Sequence, residues 1–359
     1  MRPGLLAAAL CMGLFAAGAA FAATLTAGER HLTTTTASAA ARNHGAGVIR
    51  ITLWYPSAGA EQPLETGPPG RSIFTGLRAA ADAPFADDAR RPAIVLSHGF
   101  GGSARSMAWF GTALARAGYV VVAVDHPGTN AVDGVTPEGV YAPWERPRDL
   151  QAALDKVLAD PALAAHIDPK RIGVAGFSLG GFTSLLEIGA RPDLDQLVAF
   201  CDGPHRDSIC DPQIEYPDDF RQMPKVLAEP AMAPIAAERH AGFSDPRVRA
   251  AFVIAPAVIE GIRFESLRAI RRPVAIALGD ADTVAPPKTN GELAASLIPG
   301  ATIDVLPGVR HYDFLPECGP GASVLPAAYC AESPGVDRRA AHERVIREAI
   351  AFFDRTLAK

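Results

Sequence analysis

Short apolar runs alternate with longer amphipathic stretches through most of this chain. AIVLS (ending at residue 97), YVVVAVD (119–125), RIGVAG (171–176), AAFVIAP (250–256), PVAIALGD (273–280) and ATIDVLPG (301–308) are runs of the buried-strand type. VIRITLWYP (48–56) alternates apolar and polar positions and reads as an early strand. Between the runs, SARSMAWFGTALARAG (103–118), ERPRDLQAALDKVLAD (145–160), LGGFTSLLEIGA (179–190) and the segments 287–297 and 337–357 have helical spacing. Buried strands alternating with amphipathic helices predict an α/β fold: a mostly parallel central sheet with helices on both faces. Residues 30–45, rich in Thr, Ala and Ser, read as an irregular lead-in, and 57–92 as loop. The pattern breaks between about 201 and 248, where prolines and short helical stretches around 219–240 predict a small helical lid inserted above the sheet. Residues 23–359 are thus expected to form one domain carrying that lid.

Gly176-Phe177-Ser178-Leu179-Gly180 fits G-x-S-x-G between a strand and a helix. That turn presents a serine hydroxyl at the positive end of a helix, and side chains at the flanking positions would collide. A nucleophilic serine needs a base, and the base needs an orienting acid, in the chain order Ser, Asp or Glu, His. His311, in PGVRHYDF after the last strand, is the expected base; His205 and His240 lie in the insertion, and His342 reads as a surface residue of the last helix. The preceding strand end offers Asp280 and Asp282, of which Asp282 is favoured because it stands further out on the loop. Two backbone N–H groups must hold an oxyanion. Leu179 and Phe100, the latter in the loop His98-Gly99-Phe100-Gly101-Gly102, are the candidates, with His98 holding that loop.

The loop Gly99-Phe100-Gly101-Gly102-Ser103-Ala104 also fits G-x-G-x-x-A, with Asp125 ending the next strand. A nicotinamide oxidoreductase is therefore a rival reading. It places the motif in the middle of the sheet pattern and leaves the Ser–Asp–His order unexplained. A binding protein on a catalytically silent scaffold is a second rival.

Composition adds the compartment. MRPGLLAAALCMGLFAAGAAFAA has a cation at Arg2, an apolar run, and Ala20-Phe21-Ala22 as a cleavage signature, so residues 1–22 read as a secretory signal peptide. The expected location is periplasmic or secreted, without a stable membrane anchor. Without Cys11, four cysteines remain; spacing favours the pairs Cys201–Cys210 and Cys318–Cys330. No C-x-x-C or H-E-x-x-H occurs, so neither metal nor cofactor is expected. A net charge of −5 without a basic stripe argues against nucleic acid. The expected partner is a small-molecule ester. Val226, Leu227, Met232 and Ile235 of the insertion would suit a hydrophobic group on it, and would equally suit packing of the lid. Oligomeric state is left open.

With these residues in hand, the chain resembles the serine hydrolases of the α/β-hydrolase fold. Among them it is similar to the group of predicted dienelactone hydrolases, itself similar to the platelet-activating-factor acetylhydrolases. The resemblance runs from LWYP at 53 through LSHGFGG, VVVAVDHPG, GFSLGG, LGDADTVAP and RHYDFL to the tail with Cys318, Cys330 and GVDRRAAHERVI. It implies a triad of Ser178, Asp282 and His311 with oxyanion donors Phe100 and Leu179. Dienelactone hydrolases proper use a cysteine nucleophile where this chain has Ser178, so the group's label does not give the reaction.

Overall fold

In the computed structural model, which describes residues 25–215 and 222–358, the apolar runs become neighbouring strands of one sheet. Its main strands are β1 (Thr26–Thr35), β2 (Val48–Ser57), β3 (Arg91–Ser97), β4 (Val120–Asp125), β5 (Ile167–Phe177), β6 (Val248–Ile254), β7 (Val274–Gly279) and β8 (Thr302–Leu306). They lie in the order β8-β7-β6-β5-β3-β4-β2-β1, and two short strands, Arg78–Ala81 and Gln62–Pro63, extend the sheet beyond β1. Strands β3 to β8 pair in parallel; β2 is antiparallel to β4, and β1 to β2. The signal-peptide reading of residues 1–22 and residues 216–221 of the insertion lie outside the described residues.

The two-residue period of the strands sorts their side chains into two cores. On one face Val95, Val122, Val174 and Val253 pack under α2 (Arg146–Ala159), α3 (Leu179–Glu187) and α4 (Gly291–Leu297). On the other, Ile94, Val121, Ala175 and Phe252 pack under α1 (Ala108–Arg116) and α5 (Arg338–Thr356). Covering both faces is what allowed the strands to be continuously apolar. The insertion after α3 forms short helices, including Leu194–Cys201, Met223–Leu227 and Ala233–Ala237.

Two expectations fail. The lead-in is not irregular: β1 pairs with β2 over its full length, Thr26 opposite Ser57 to Thr35 opposite Val48. Its second half alternates half-buried and exposed positions with threonines on them, so β-branched stiffness rather than apolar alternation makes the strand. His342 is not a surface residue. It is buried, stacks on Trp109 at 3.9 Å between ring centroids, and its Nε2 lies 2.9 Å from the Asp313 carbonyl. Burial lowers its pKa to about 4.

Beneath the carboxyl ends of β3 and β4 lies a fully buried polar chain. Arg42 donates to Asp149 (Nη2 to Oδ1, 2.6 Å), and His126 Nδ1 meets the other oxygen of Asp149 at 3.0 Å. His126 Nε2 contacts the Ser97 hydroxyl at 2.9 Å, which accepts from Arg146 at 3.2 Å. Burial first, then the neighbouring arginines, push the His126 pKa well below its ordinary value, so the ring is neutral: Nδ1–H donates and Nε2 accepts. Removing one member of such a chain strands the others in low dielectric. Asp149→Ala is expected to cost about 3–5 kcal/mol in urea unfolding, and an Arg42→Met/Asp149→Leu double variant less than the sum of its single changes. A loss below about 1 kcal/mol for Asp149→Ala would contradict this role.

Candidate active site

Ser178 stands at the turn from β5 into α3 with φ 56° and ψ −120°, a left-handed backbone that non-glycine residues rarely adopt. Such a conformation costs about 1–3 kcal/mol and persists only when its surroundings impose it. Here they do. The Ser178 N–H donates to Ile254 O at 2.9 Å, and its carbonyl accepts from Gly181 and Ala257. The flanking glycines are steric necessities. A Cβ on Gly180 would sit 2.1 Å from the Ser97 carbonyl oxygen, and one on Gly176 would sit 2.1 Å from that of Gly180.

From this turn the Ser178 hydroxyl reaches His311 Nε2 at 2.9 Å, and His311 Nδ1 reaches Asp282 Oδ2 at 2.6 Å. Asp282 is fixed through its other oxygen, which accepts the Val284 and Ala285 N–H groups at 2.9 and 2.8 Å. Asp280 instead accepts the Gly308 N–H at 2.6 Å and braces the loop that delivers His311. The structure thus joins Ser178, His311 and Asp282, all buried, in one hydrogen-bonded row. His205 is exposed, and His240 faces Asp193 and Asp195, where Arg263 and Arg239 also pair. Burial alone would lower the His311 pKa. The charge and hydrogen bond of Asp282, with the more distant Glu215, outweigh it and hold the pKa above its ordinary value.

Leu179 is the first residue of α3, so its N–H has no acceptor within the helix and points from the positive end of the dipole. Phe100 lines the same cavities as Ser178. The glycine-rich loop around Phe100 is held by its own backbone and by the segment after β4: Gly101 N–H donates to Thr129 O, Gly102 N–H to Gly99 O, and Ala104 N–H to Asp125 at 2.7 Å. These amides are engaged, which argues against a dinucleotide cradle there. His98 anchors the loop, its Nδ1 meeting Gly99 O at 2.5 Å while its Nε2 accepts the His126 N–H at 3.1 Å.

Arg146 was not singled out in the sequence. Fully buried, it donates to the His98 carbonyl, to Ser97 and Thr129, and through Nε to Thr183 of α3 at 3.1 Å. One planar cation therefore ties the glycine-rich loop to the helix behind Ser178. Burial, opposed by Asp149, lowers its pKa to about 9, so it stays charged at neutral pH. A signal was available: a cation at the first position of α2 opposes the helix dipole and needs another reason to be there.

The insertion and the tail clasp the row. The Ser208 hydroxyl donates to Thr283 O at 2.6 Å, beside Asp282, and Tyr312 donates to Glu215 at 2.7 Å, beside His311. Cys201–Cys210 bridges the first of these segments, and Cys318–Cys330 the loop after His311, with Cα separations of 5.4 and 5.6 Å. Tyr312 packs on Tyr329 of that second loop with ring centroids 4.5 Å apart. Among the described residues no helix is long and apolar enough to cross a membrane.

The model of the Alpha/beta hydrolase family matches residues 94–318, more than half of the chain. The chain belongs to the alpha/beta hydrolase family. Over 108 residues it is 39% identical to cutinase est2 of Thermobifida alba, a match covering 30% of this chain and 33% of that protein. Over 193 residues it is 31% identical to the bis(hydroxyethyl) terephthalate hydrolase of Streptomyces coelicolor, covering 47% and 57%. The chain thus spans about a third of the length of the cutinase it matches. A solved structure, the ferulic acid esterase from Streptomyces cinnamoneus, superposes with a TM-score of 0.58 at 22% identity, covering 95% of this chain and 92% of that one, a likeness of fold. The fold is that of the alpha/beta hydrolases.

Because the folded His311 pKa lies above its unfolded value, the His311–Asp282 pair stabilises the protein fully below about pH 6.5, and that contribution is lost as pH rises through the folded pKa. By NMR titration His311 should show a midpoint above 6.5, moving below 6.5 in Asp282→Asn, where burial acts without the compensating charge. A wild-type midpoint below 6.5 would contradict the pairing.

Proposed function

We propose that this protein is an exported carboxylic ester hydrolase working through an acyl-enzyme. The observation that carries the reading is the row Ser178–His311–Asp282 at 2.9 and 2.6 Å, at the turn where the family's fold presents a nucleophile. His311 Nε2 takes the hydroxyl proton as Ser178 Oγ attacks the ester carbonyl. Asp282 keeps the ring oriented with its proton on Nδ1 and stabilises the imidazolium as it forms. The N–H groups of Phe100 and Leu179 hold the oxyanion. The tetrahedral intermediate collapses, the C–O bond to the alcohol breaks, and His311 returns the proton to the leaving oxygen. Water then attacks the acyl-enzyme with His311 again as base, giving the acid and free Ser178. No metal or cofactor enters the scheme.

Cutinase and terephthalate-ester hydrolase relatives support ester chemistry for this chain. The motifs from LWYP to the cysteine-bearing tail support membership of the dienelactone-hydrolase-like group related to the platelet-activating-factor acetylhydrolases. Two cysteine pairs at bonding distance support an oxidising compartment, periplasmic or extracellular, reached through a signal peptide at residues 1–22. The insertion around residues 201–248 acts as the lid of a single domain, supported by its contacts with the loops carrying Asp282 and His311.

Ser178→Ala should lower kcat toward p-nitrophenyl esters by at least about 10⁴-fold while circular dichroism and the thermal midpoint stay within those of a surface change. Retained esterase activity in that variant would remove the assignment.

A further inference from the structure

The two N–H groups assigned to the oxyanion come from separate segments, the loop 98–102 and the start of α3. Their worth depends on where each sits relative to one oxygen, so the loop must be fixed against the helix. The loop has holds of its own. The His98 ring meets Gly99 O and the His126 N–H, Ala104 N–H donates to Asp125, and Gly102 O accepts the Ala131 N–H at 2.7 Å. None of these bonds reaches α3. The packing of Gly180 on the Ser97 carbonyl limits how near loop and helix come, but a contact without a directed bond does not fix how they are turned.

Arg146, at the start of α2, reaches both. Its Nη2 donates to the His98 carbonyl and, at 3.2 Å, to the Ser97 hydroxyl. Its Nη1 donates to the Thr129 hydroxyl at 3.0 Å, and the Thr129 carbonyl in turn accepts the Gly101 N–H at 3.1 Å. Phe100 therefore stands between His98 and Gly101, both of which lead back to one guanidinium. Its Nε donates to the Thr183 hydroxyl at 3.1 Å, and that hydroxyl donates to the Leu179 carbonyl at 2.9 Å. The same plane thus holds the first turn of α3. A guanidinium can do this because its donors diverge in one plane at fixed angles; an ammonium on a flexible stem cannot. Arg146 is fully buried and lines neither of the two cavities, about 470 and 680 Å³, that open onto Ser178. It is out of reach of substrate and acts only through the groups it holds.

Resting on the catalytic reading above, we infer that Arg146 is a positioning residue for the oxyanion: it sets the Phe100 N–H against the Leu179 N–H, with Thr183 as its link to α3. Ser178, Asp282 and the loop of His311 are held by other contacts, from Ile254, Ala285 and Asp280 among others. Loss of the link therefore weakens binding of the transition state and spares both binding of the substrate and the Ser178–His311–Asp282 row.

The test uses the oxidised protein. Thr183→Val removes the link at constant shape and keeps the cation, Thr183→Ser keeps the hydroxyl, and Arg146→Lys keeps the charge and loses the fork. Activity is taken per serine titrated to completion with a fluorophosphonate, so loss of folded protein does not enter. Toward p-nitrophenyl butyrate, Thr183→Val should lower kcat about tenfold and Arg146→Lys about a hundredfold, each with KM within about twofold of wild type. Thr183→Ser should restore kcat to within about threefold of wild type. A trifluoromethyl ketone adds to Ser178 as a tetrahedral oxyanion, so its Ki should rise by the factor by which kcat/KM falls, while the Ki of the matching alcohol, which forms no adduct, stays in place. The His311 NMR midpoint should not move. Should Arg146→Lys not fold, the two Thr183 variants decide. Unchanged kcat per site in Thr183→Val, a fall in kcat without a rise in the ketone Ki, a fall shared in full by Thr183→Ser, or a shifted His311 midpoint overturns the inference and leaves Ser178 as the nucleophile. Folded wild-type protein with no titratable serine overturns the catalytic reading, and this inference with it.

Discussion

The site rests on the close approach of the turn after β5 to the carboxyl end of β3. Gly180 packs so tightly on the Ser97 carbonyl that a single methyl group would overlap it. That contact brings the start of α3 beside the loop 98–102, with Ser178 at the turn in its left-handed conformation. Nearly everything around it secures the arrangement. Ile254 and Ala257 hold the Ser178 backbone from the β6 side, and Arg146 bonds both the loop and the helix from below. The buried chain from Arg42 through Asp149 and His126 to Ser97 supports Arg146 in turn. A cation fully removed from water is tolerated there because its donors meet carbonyl and hydroxyl oxygens, with Asp149 nearby to balance it.

Above that base the site is assembled from loops far apart in sequence. Asp282 follows β7, His311 follows β8, and each loop is held by contacts that do not involve Ser178. Asp313 illustrates this: it accepts from the Arg310 N–H at 2.8 Å and from Ser333 at 2.5 Å, fixing the short turn that carries His311. His342, neutral and stacked on Trp109, holds the Asp313 carbonyl and so links α5 and α1 to the same turn. Positioning of the imidazole is thereby distributed over two helices and a bridged loop rather than left to the Asp282 contact alone.

Local patterns were the legible part of this chain. Apolar runs bounded by glycine gave the parallel strands, and G-x-S-x-G gave the turn because its glycines answer a backbone clash within a few residues. His311 and Asp282 were readable because the carboxyl ends of successive strands face one edge of a parallel sheet. What stayed hidden depends on contacts between distant segments. β1 shows no apolar alternation in its threonine-rich half, so only its pairing with β2 reveals it. Arg146 shows in the sequence only as a cation misplaced at a helix start; its partners appear only once the segments after β3 and β4 and α3 close around it. The two cavities are equally invisible in sequence, since their walls come from segments more than a hundred residues apart, such as Thr52 and Tyr329.

This packing is expected to produce an activated serine. Labelling of the folded, oxidised protein with a fluorophosphonate probe, followed by peptide mass mapping and with Ser178→Ala as control, tests it most directly. One adduct is expected, on Ser178, absent in the variant. No adduct on folded protein, or an adduct that survives in Ser178→Ala, would contradict it.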